Sequence, residues 1–411
     1  MKLSVRVNYI INLGLLAAFG PLCTDLYLPA LPHLSTELNV STSTAQLTLT
    51  ASLFGLGIGQ LLFGPVSDQV GRMKPLLLSL ALFIMASVWC MLAPTATQLI
   101  LARFLQGIAG AGGAVLSRSI ARDLYTGHEL TTFFAMLMMV NGLGPIVAPI
   151  LGGALLSVMD WRGLFAVLTA IGVVLLVMAR LNISESLPEG KRNPGSFGAM
   201  LSSIGSVVRH KAFIGFCLTQ ALMLAGMFAY IGASPFVLQR IYNMSPLGFS
   251  LCFAINGIGL IIAAQLAAGL SKKYGEFTLL KGALAFAGMI SSTLLLAGVI
   301  GAPLPVFLVI LFFAIACNSA ICTTASSLAM QTQNNNAGGS ASAVLGVTMF
   351  TFGGISVPLS GIGGTSVFTM TLTLWAAYML AILAFFFIAG KEKCAVIIEV
   401  SGTRHDPHEN D

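Results

Sequence analysis

Gly64-Pro65-Val66-Ser67-Asp68-Gln69-Val70-Gly71-Arg72-Met73-Lys74-Pro75 is a short charged turn between two long apolar runs, 44–66 and 75–94. Each run has about the ~20 residues a helix needs to cross a bilayer. The glycines permit a sharp reversal, so the runs read as antiparallel neighbours on a tight connection. Asp68 suits a helix N-terminus or a basic partner. The opening of a later run, Ala337-Gly338-Gly339-Ser340, is one candidate, since that loop has no charge of its own. Arg72 is placed to pair with Asp123. Bonds of this kind, made on one side of the membrane in one conformation only, would act as a latch. A plain topogenic loop accounts for Arg72 and Lys74, but not for the Gly and Asp spacing.

Working outward, the pattern recurs along the chain. Twelve apolar segments are predicted as spans: 9–31, 44–66, 75–94, 97–119, 131–156, 163–183, 212–236, 247–270, 278–300, 303–327, 340–363 and 366–389. Hydrophobic residues make up 56% of the 411 and charged residues 8%, with a mean hydropathy of +0.92. A soluble domain carries roughly a quarter charged residues. The segments are continuous runs, not the ~10-residue alternating strands of a barrel. Helices satisfy their own backbone in lipid, and the 44 glycines suit close helix packing. The fold expected is an all-α integral membrane protein. Lys2 and Arg6 before an apolar run resemble a signal peptide, but no small-residue cleavage site follows, so this run is read as a retained first span.

Basic residues set the orientation. With the amino terminus inside, all but Arg103, Arg162 and Arg240 of the 20 Lys and Arg fall on the cytoplasmic side. Both termini are therefore expected there. The net charge of +6 is a topology signal and no nucleic-acid footprint. The longest polar connection, 184–211, separates a six-helix half at 1–183 from a second at 212–389, followed by a cytoplasmic tail, 390–411. A faint repeat supports two pseudo-symmetric halves. Ser67-Asp68-Gln69-Val70-Gly71 and Ser271-Lys272-Lys273-Tyr274-Gly275 fall at equivalent connections.

Asp25, in Cys23-Thr24-Asp25-Leu26-Tyr27-Leu28-Pro29, is the sole acidic residue inside any predicted span. A carboxylate at depth costs about 2.5–3.5 kcal/mol on insertion scales, so it marks a functional site by default. Arg103 in the fourth span is placed at the same depth, each roughly 9 Å below the outer surface. The pair reads either as a structural ion pair joining two helices or as a protonation switch in a shared cavity. A proton affinity differing by a hundredfold to a thousandfold between conformations is about 3–4 kcal/mol. A membrane potential supplies ~2.3 kcal/mol per charge per 100 mV, so the magnitudes are compatible.

In the fifth span, Asn141-Gly142-Leu143-Gly144-Pro145-Ile146-Val147-Ala148-Pro149-Ile150-Leu151-Gly152-Gly153 combines two prolines that bend a helix with glycines that admit a close neighbour. A merely kinked packing helix has the same composition. The amides Gln60, Gln106, Asn141, Gln220, Asn256 and Asn318 either line a cavity or join helices. Tyr27, about 200° from Asp25 on a regular helix, is not expected to act with it. The scattered cysteines form no C-x-x-C pair and read as free thiols. All five histidines fall in loops or the tail, including His405 and His408, which excludes an intramembrane histidine relay.

The chain resembles a major facilitator superfamily transporter along essentially its whole length. The turn at Gly64–Pro75 resembles the signature G-x-x-x-D-R-x-G-R-[RK], with Gln69 where the family usually has Arg. Arg103-Phe104-Leu105-Gln106-Gly107 resembles the fourth-helix motif whose Arg is implicated in proton transfer. The Gly-Pro run, with Gly144, Pro145, Pro149, Gly152 and Gly153, resembles the antiporter motif. Thr24-Asp25-Leu26-Tyr27-Leu28-Pro29-Ala30-Leu31-Pro32 and Arg118-Ser119-Ile120-Ala121-Arg122-Asp123-Leu124 resemble the bicyclomycin/chloramphenicol-resistance (Bcr/CflA) group. The resemblance implies a bacterial inner-membrane antiporter, expected to be a monomer, that exchanges protons for amphipathic drugs by alternating access. Asp25 and Arg103 would couple the proton. Gly64, Asp68, Gly71, Arg72, Lys74 and Asp123 would form the cytoplasmic gate, and Gln106, Asn141, Gln220 and Asn256 are candidates for the substrate cavity. The alternative is a carrier of a native metabolite such as a nucleoside or sugar. With no nucleotide loop, nucleophile constellation or metal-ligand spacing, neither an enzyme nor a cofactor beyond the proton gradient is expected.

Overall fold

A computed structural model of the protein describes residues 3–125, 143–144, 146–192, 204–333 and 338–389. The elements are α1 (Leu3–Asp25), α2 (Leu31–Glu37), α3 (Thr42–Val70), α4 (Met73–Leu92), α5 (Ala96–Leu124), α6 (Ile146–Leu155) and α7 (Trp161–Asn182). After a connection with a helical stretch at 204–209 come α8 (Lys211–Phe236), α9 (Pro246–Tyr274), α10 (Glu276–Ile300), α11 (Leu304–Gln331), α12 (Gly338–Leu359) and α13 (Val367–Ala384). Among the described residues ten helices are long and apolar enough to cross a membrane, and the bent pair Asn12–Gly20 and Leu22–Glu37 makes an eleventh. The apolar α6 is the described end of the predicted fifth span. Apolar side chains such as Leu92, Leu181, Leu266 and Val299 stand exposed on the outside of the helices. Polar ones such as Gln46, Arg103, Gln106 and Asn318 are buried among them. That is the arrangement of an all-helical membrane protein, whose surroundings are as apolar as its core.

Local chemistry fixes the ends of the helices. Ser41, Thr95, Asp160, Ser245 and Ser366 each accept a backbone N–H in the first turn of α3, α5, α7, α9 and α13, satisfying donors that a helix start leaves unpaired. All five caps lie at one end of the bundle. The other end carries Arg72, Lys74, Arg122, Arg180, Arg209, Lys272 and Lys273, and is called the basic end below. There α3 and α9 stop in the same way. Gly71 at φ +96° and Gly275 at φ +79° return their N–H groups to the Ser67 and Ser271 carbonyls, a conformation glycine adopts without strain. The two sequence pentads are thus one turn device used twice.

The first span departs from expectation. It does not end at Leu31. Helix α1 stops at Asp25, a 3-10 turn follows at Leu28–Ala30, and α2 carries the chain on to Glu37; a bend of 43° separates Asn12–Gly20 from Leu22–Glu37. Pro29 and Pro32 start the new turns, where a missing N–H costs nothing. Glu37 is tied to α7, accepting from Trp161 Nε1 at 2.7 Å and from Arg162.

Between α3 and α5 the backbones touch. A Cβ on Gly55 would strike the Phe104 carbonyl, and one on Gly107 would strike the carbonyl of Ser52. This contact brings the turn at Gly71–Arg72 beside the foot of α5.

Candidate functional site

Asp25 is the last residue of α1, so the break in the span presents its carboxyl to the middle of the bundle. It lines a cavity of about 280 Å³ with Thr24, Gln60, Arg118, Tyr230 and Asn256. Apolar walls come from Met227, Phe228, Phe253, Met349 and Phe350. Asp25 is the one acidic residue among the described residues lining it. Thr24 Oγ1 donates to Asp25 Oδ1 at 3.1 Å, and Asn256 Nδ2 donates to Tyr230 Oη at 2.8 Å. A mostly apolar chamber with one carboxyl, one guanidinium and a few amides can take a small amphipathic molecule.

Arg103 is elsewhere. Expected to share this cavity, it is fully buried behind α1, with no carboxylate within 4.0 Å among the described residues. Its Nη1 donates to the Cys23 carbonyl at 3.1 Å and to Gln106 Oε1 at 2.5 Å. The guanidinium lies over the Tyr27 ring, 4.2 Å from its centroid, with Phe165 at 5.7 Å. A desolvated cation–π contact is worth about 2 kcal/mol, and here it stands where a counter-ion was expected. Among the described residues Arg103 Nε and Nη2 have no hydrogen-bond partner. Tyr27, set aside on helical spacing, stacks on Arg103 and bonds Thr48 Oγ1 at 3.1 Å. Tyr27 is not among the residues that line the cavity with Asp25.

Two of the amides assigned to the cavity also lie elsewhere. Gln106 is buried, bonded to Arg103 and to Ser87 at 2.8 Å. Gln220 accepts from Ser326 at 2.8 Å, joining α8 to α11. Asn318 bonds the Met223 carbonyl and Tyr378. In all three the amide joins helices. Asn256 and Gln60 do line the cavity, while Asn141 and Pro145 fall outside the described residues. Pro149, Gly152 and Gly153 are buried, and Gly144 is partly buried. A Cβ on Gly152 would meet the Leu26 carbonyl, and one on Gly153 the Ser250 hydroxyl. The glycine pair lets α6 lie against the break beside Asp25 on one side and α9 on the other.

Gln60 and Arg118 line a second opening as well, a cleft of about 390 Å³ running to the basic end past Asp68, Arg72, Asp123 and Ser342. On one wall Arg72 donates to Asp68 at 2.5 Å, Ser67 at 2.7 Å and Asp123 at 2.9 Å. Burial alone would lower the Arg72 pKa, but the bonds to Asp123 and Asp68 outweigh it and hold the group firmly charged. Asp68 thus bonds Arg72 on its own turn. Residues 334–337, which include part of its other candidate partner, lie outside the described residues. Lys74 is exposed, and Gly64 packs near Val115.

Glu185, which the sequence reading did not single out, completes the turn. Its carboxylate accepts the N–H groups of Arg72 at 2.8 Å and Met73 at 3.2 Å, capping α4. Burial raises its pKa, but the backbone donors of Arg72, Leu187 and Met73 more than offset this, and the net position is below 4.5. A Cβ on Gly71 would lie 2.5 Å from Glu185 Oε2, so the glycine is required by contact as well as by φ.

The end away from the basic residues is closed. Gln46 Nε2 donates to the Gly232 carbonyl at 2.9 Å, Thr50 to the Gly354 carbonyl at 2.9 Å, and Gln239 to the Pro29 carbonyl at 3.0 Å. Arg240 reaches the Pro32 carbonyl, Ser35 and Thr36 at 2.6–2.7 Å. Each bond joins a helix before residue 183 to one after 211. At the basic end, the bonds that Arg72, Ser186, Gln220 and Ser342 make do not join these two groups of helices. Gln46 and Thr50 were missed because single polar residues in apolar spans carry no spacing signal.

A family model for the Major Facilitator Superfamily matches residues 13–358. The chain is 41% identical over 376 residues to the "Uncharacterized MFS-type transporter YdgK" of Bacillus subtilis (strain 168), covering 91% of this chain and 93% of that protein. It is 26% identical to the "Bicyclomycin resistance protein homolog" of Haemophilus influenzae, over 93% and 96% of the two chains. Among solved structures, a bacterial homologue of the human lysosomal transporter Spinster, in an inward-facing and unoccupied conformation, aligns with a TM-score of 0.73. Identity there is 16%, with 94% of this chain and 97% of that chain covered. The fold, the internal cavity and these matches agree that the chain belongs to the Major Facilitator Superfamily and is a transporter, not an enzyme.

Proposed function

We propose that the protein is a proton-coupled efflux antiporter of the Bcr/CflA group, exporting amphipathic small molecules across the bacterial inner membrane. The observation that carries this reading is Asp25, the one carboxyl among the described residues on the wall of the central cavity, held at a break in the first span. The basic end faces the cytoplasm by the charge rule, so the cleft past Arg118 is the substrate's way in. Substrate in the cavity favours loss of the Asp25 proton. The two groups of helices rock, substrate leaves at the opposite end, and a proton from that side reloads Asp25. Arg103 holds the break in shape from behind. In a conformation where the break turns, its unpartnered Nη2 is available to the ionised carboxyl. Arg72, Asp68 and Asp123 serve as the latch of the basic end. The similarity to a bicyclomycin-resistance homologue supports drug export at the level of the group.

The test is a drug-susceptibility and accumulation panel in an efflux-deficient host. Wild type lowers accumulation of at least one amphipathic compound, and Asp25→Asn does not. Equal protection by both would reject the proposal. A carrier of a nucleoside or sugar is the second reading, favoured by the amides Gln60 and Asn256 and the Tyr230 hydroxyl on the cavity wall. Competition of drug export by such a solute would support it.

A further inference from the structure

A second large hollow in the molecule faces the surroundings. Helices α9, α10 and α11 enclose a groove of about 470 Å³, and every side chain lining it but Tyr274, Thr278 and Cys317 is wholly apolar. Its depth comes from small residues, among them Gly259, Ala267, Gly282 and Ala320, while Leu270 and Phe286 stand on its walls. A Cβ on Gly282 would meet nothing within 4 Å. The hollow is therefore empty space within the protein, and in a bilayer hydrocarbon must fill it.

Along α9 the groove runs from Gly259 to Tyr274, about 22 Å at 1.5 Å per residue. One leaflet's hydrocarbon is about 15 Å deep, so the groove spans it and continues into the headgroup region. It emerges at the basic end, where Lys272 and Lys273 are exposed and Lys273 Nζ lies 5.1 Å from the Tyr274 ring centroid. Lys281 stands on the next helix, 4.8 Å from the Phe277 ring centroid. An apolar slot one leaflet long, ending at lysines, has the chemistry of one acyl chain below an anionic headgroup. A second copy of the chain docking face to face would bring like charges together at this end.

We propose that this groove is a binding site for one anionic phospholipid, its acyl chain between α9 and α10 and its headgroup at Lys272 and Lys273. The full-length protein, reconstituted in vesicles of equal phosphatidylglycerol and phosphatidylcholine and then extracted, is examined by native mass spectrometry. Wild type retains phosphatidylglycerol over phosphatidylcholine. Lys272→Gln with Lys273→Gln, both exposed and outside the helix packing, weakens that retention about five-fold per charge removed and leaves phosphatidylcholine unchanged. Gly282→Leu, which fills open space, abolishes it. Equal retention of the two lipids, or unchanged retention in the lysine variant, overturns the headgroup assignment. Unchanged retention in Gly282→Leu overturns the groove. A dimer in wild type that Gly282→Leu dissolves shows a second copy as the occupant and overturns the lipid.

Discussion

Replacing Thr50 with valine should unlock the end of the molecule opposite the basic residues. Pro358 lies inside α12 and has no N–H to give to the carbonyl four residues earlier, that of Gly354. Thr50 Oγ1 supplies the missing donor from α3 at 2.9 Å, and its side chain is only 6% exposed. Valine keeps nearly the same shape and removes the donor. A buried carbonyl left unpaired costs about 1–3 kcal/mol. That cost falls on the closed arrangement alone, because once the end opens water reaches Gly354. The closed-to-open equilibrium therefore shifts by about 5-fold to 150-fold. The assay is the labelling rate of Met349→Cys, on the cavity wall, by a membrane-impermeant maleimide on intact cells. Subtracting the rate of the same protein without that cysteine removes the contribution of native thiols. While the open form is the minor one, the rate follows its population. Thr50→Val should label faster by that factor, and Thr50→Ser, which keeps the hydroxyl, should match wild type. Equal rates in all three proteins would refute the reasoning.

Three further outcomes follow from the basic end. Arg72→Ala should lower thermal stability in detergent by about 2–3 kcal/mol, below the ~3–5 kcal/mol of a fully buried pair because Asp68 is 54% exposed. Asp123→Asn, at a carboxylate only 15% exposed, should cost more than Asp68→Asn. The Glu185 carboxylate has its pKa held below the ordinary 4.5 by backbone donors, so its cap on α4 is fully formed above that value and is lost as pH falls through the lower folded one. The stability difference between wild type and Glu185→Gln should be constant from pH 7 to pH 5 and shrink below pH 4.5.

The spans were legible because each needs little more than a long apolar run. The turn at Gly71 was legible because a positive φ asks for glycine, and the pairing of Arg72 with Asp123 because carboxylates are few among the many basic groups at that end. Other features depended on where helices stop. The first span breaks at Asp25, and nothing in the local hydropathy distinguishes that break from a continuous helix. Arg103 was therefore assigned to the cavity instead of the packing behind it. Amides divide into cavity-lining and helix-joining only through tertiary contacts, as Asn256 and Gln220 show. Thr50 had a readable cause in the proline it complements, but that proline lies 308 residues further on, 50 against 358. Glu185 caps a helix more than a hundred residues before it in the chain.

The central claim is that Asp25 exchanges its proton with the substrate. Inverted membrane vesicles holding a pH-sensitive dye, acidified inside by respiration, test it directly. Addition of a compound found by the susceptibility panel should release protons from vesicles bearing the wild-type protein and from none bearing Asp25→Asn. Substrate flux in wild type that proceeds with no proton release, or proton release undiminished in Asp25→Asn, would contradict the account.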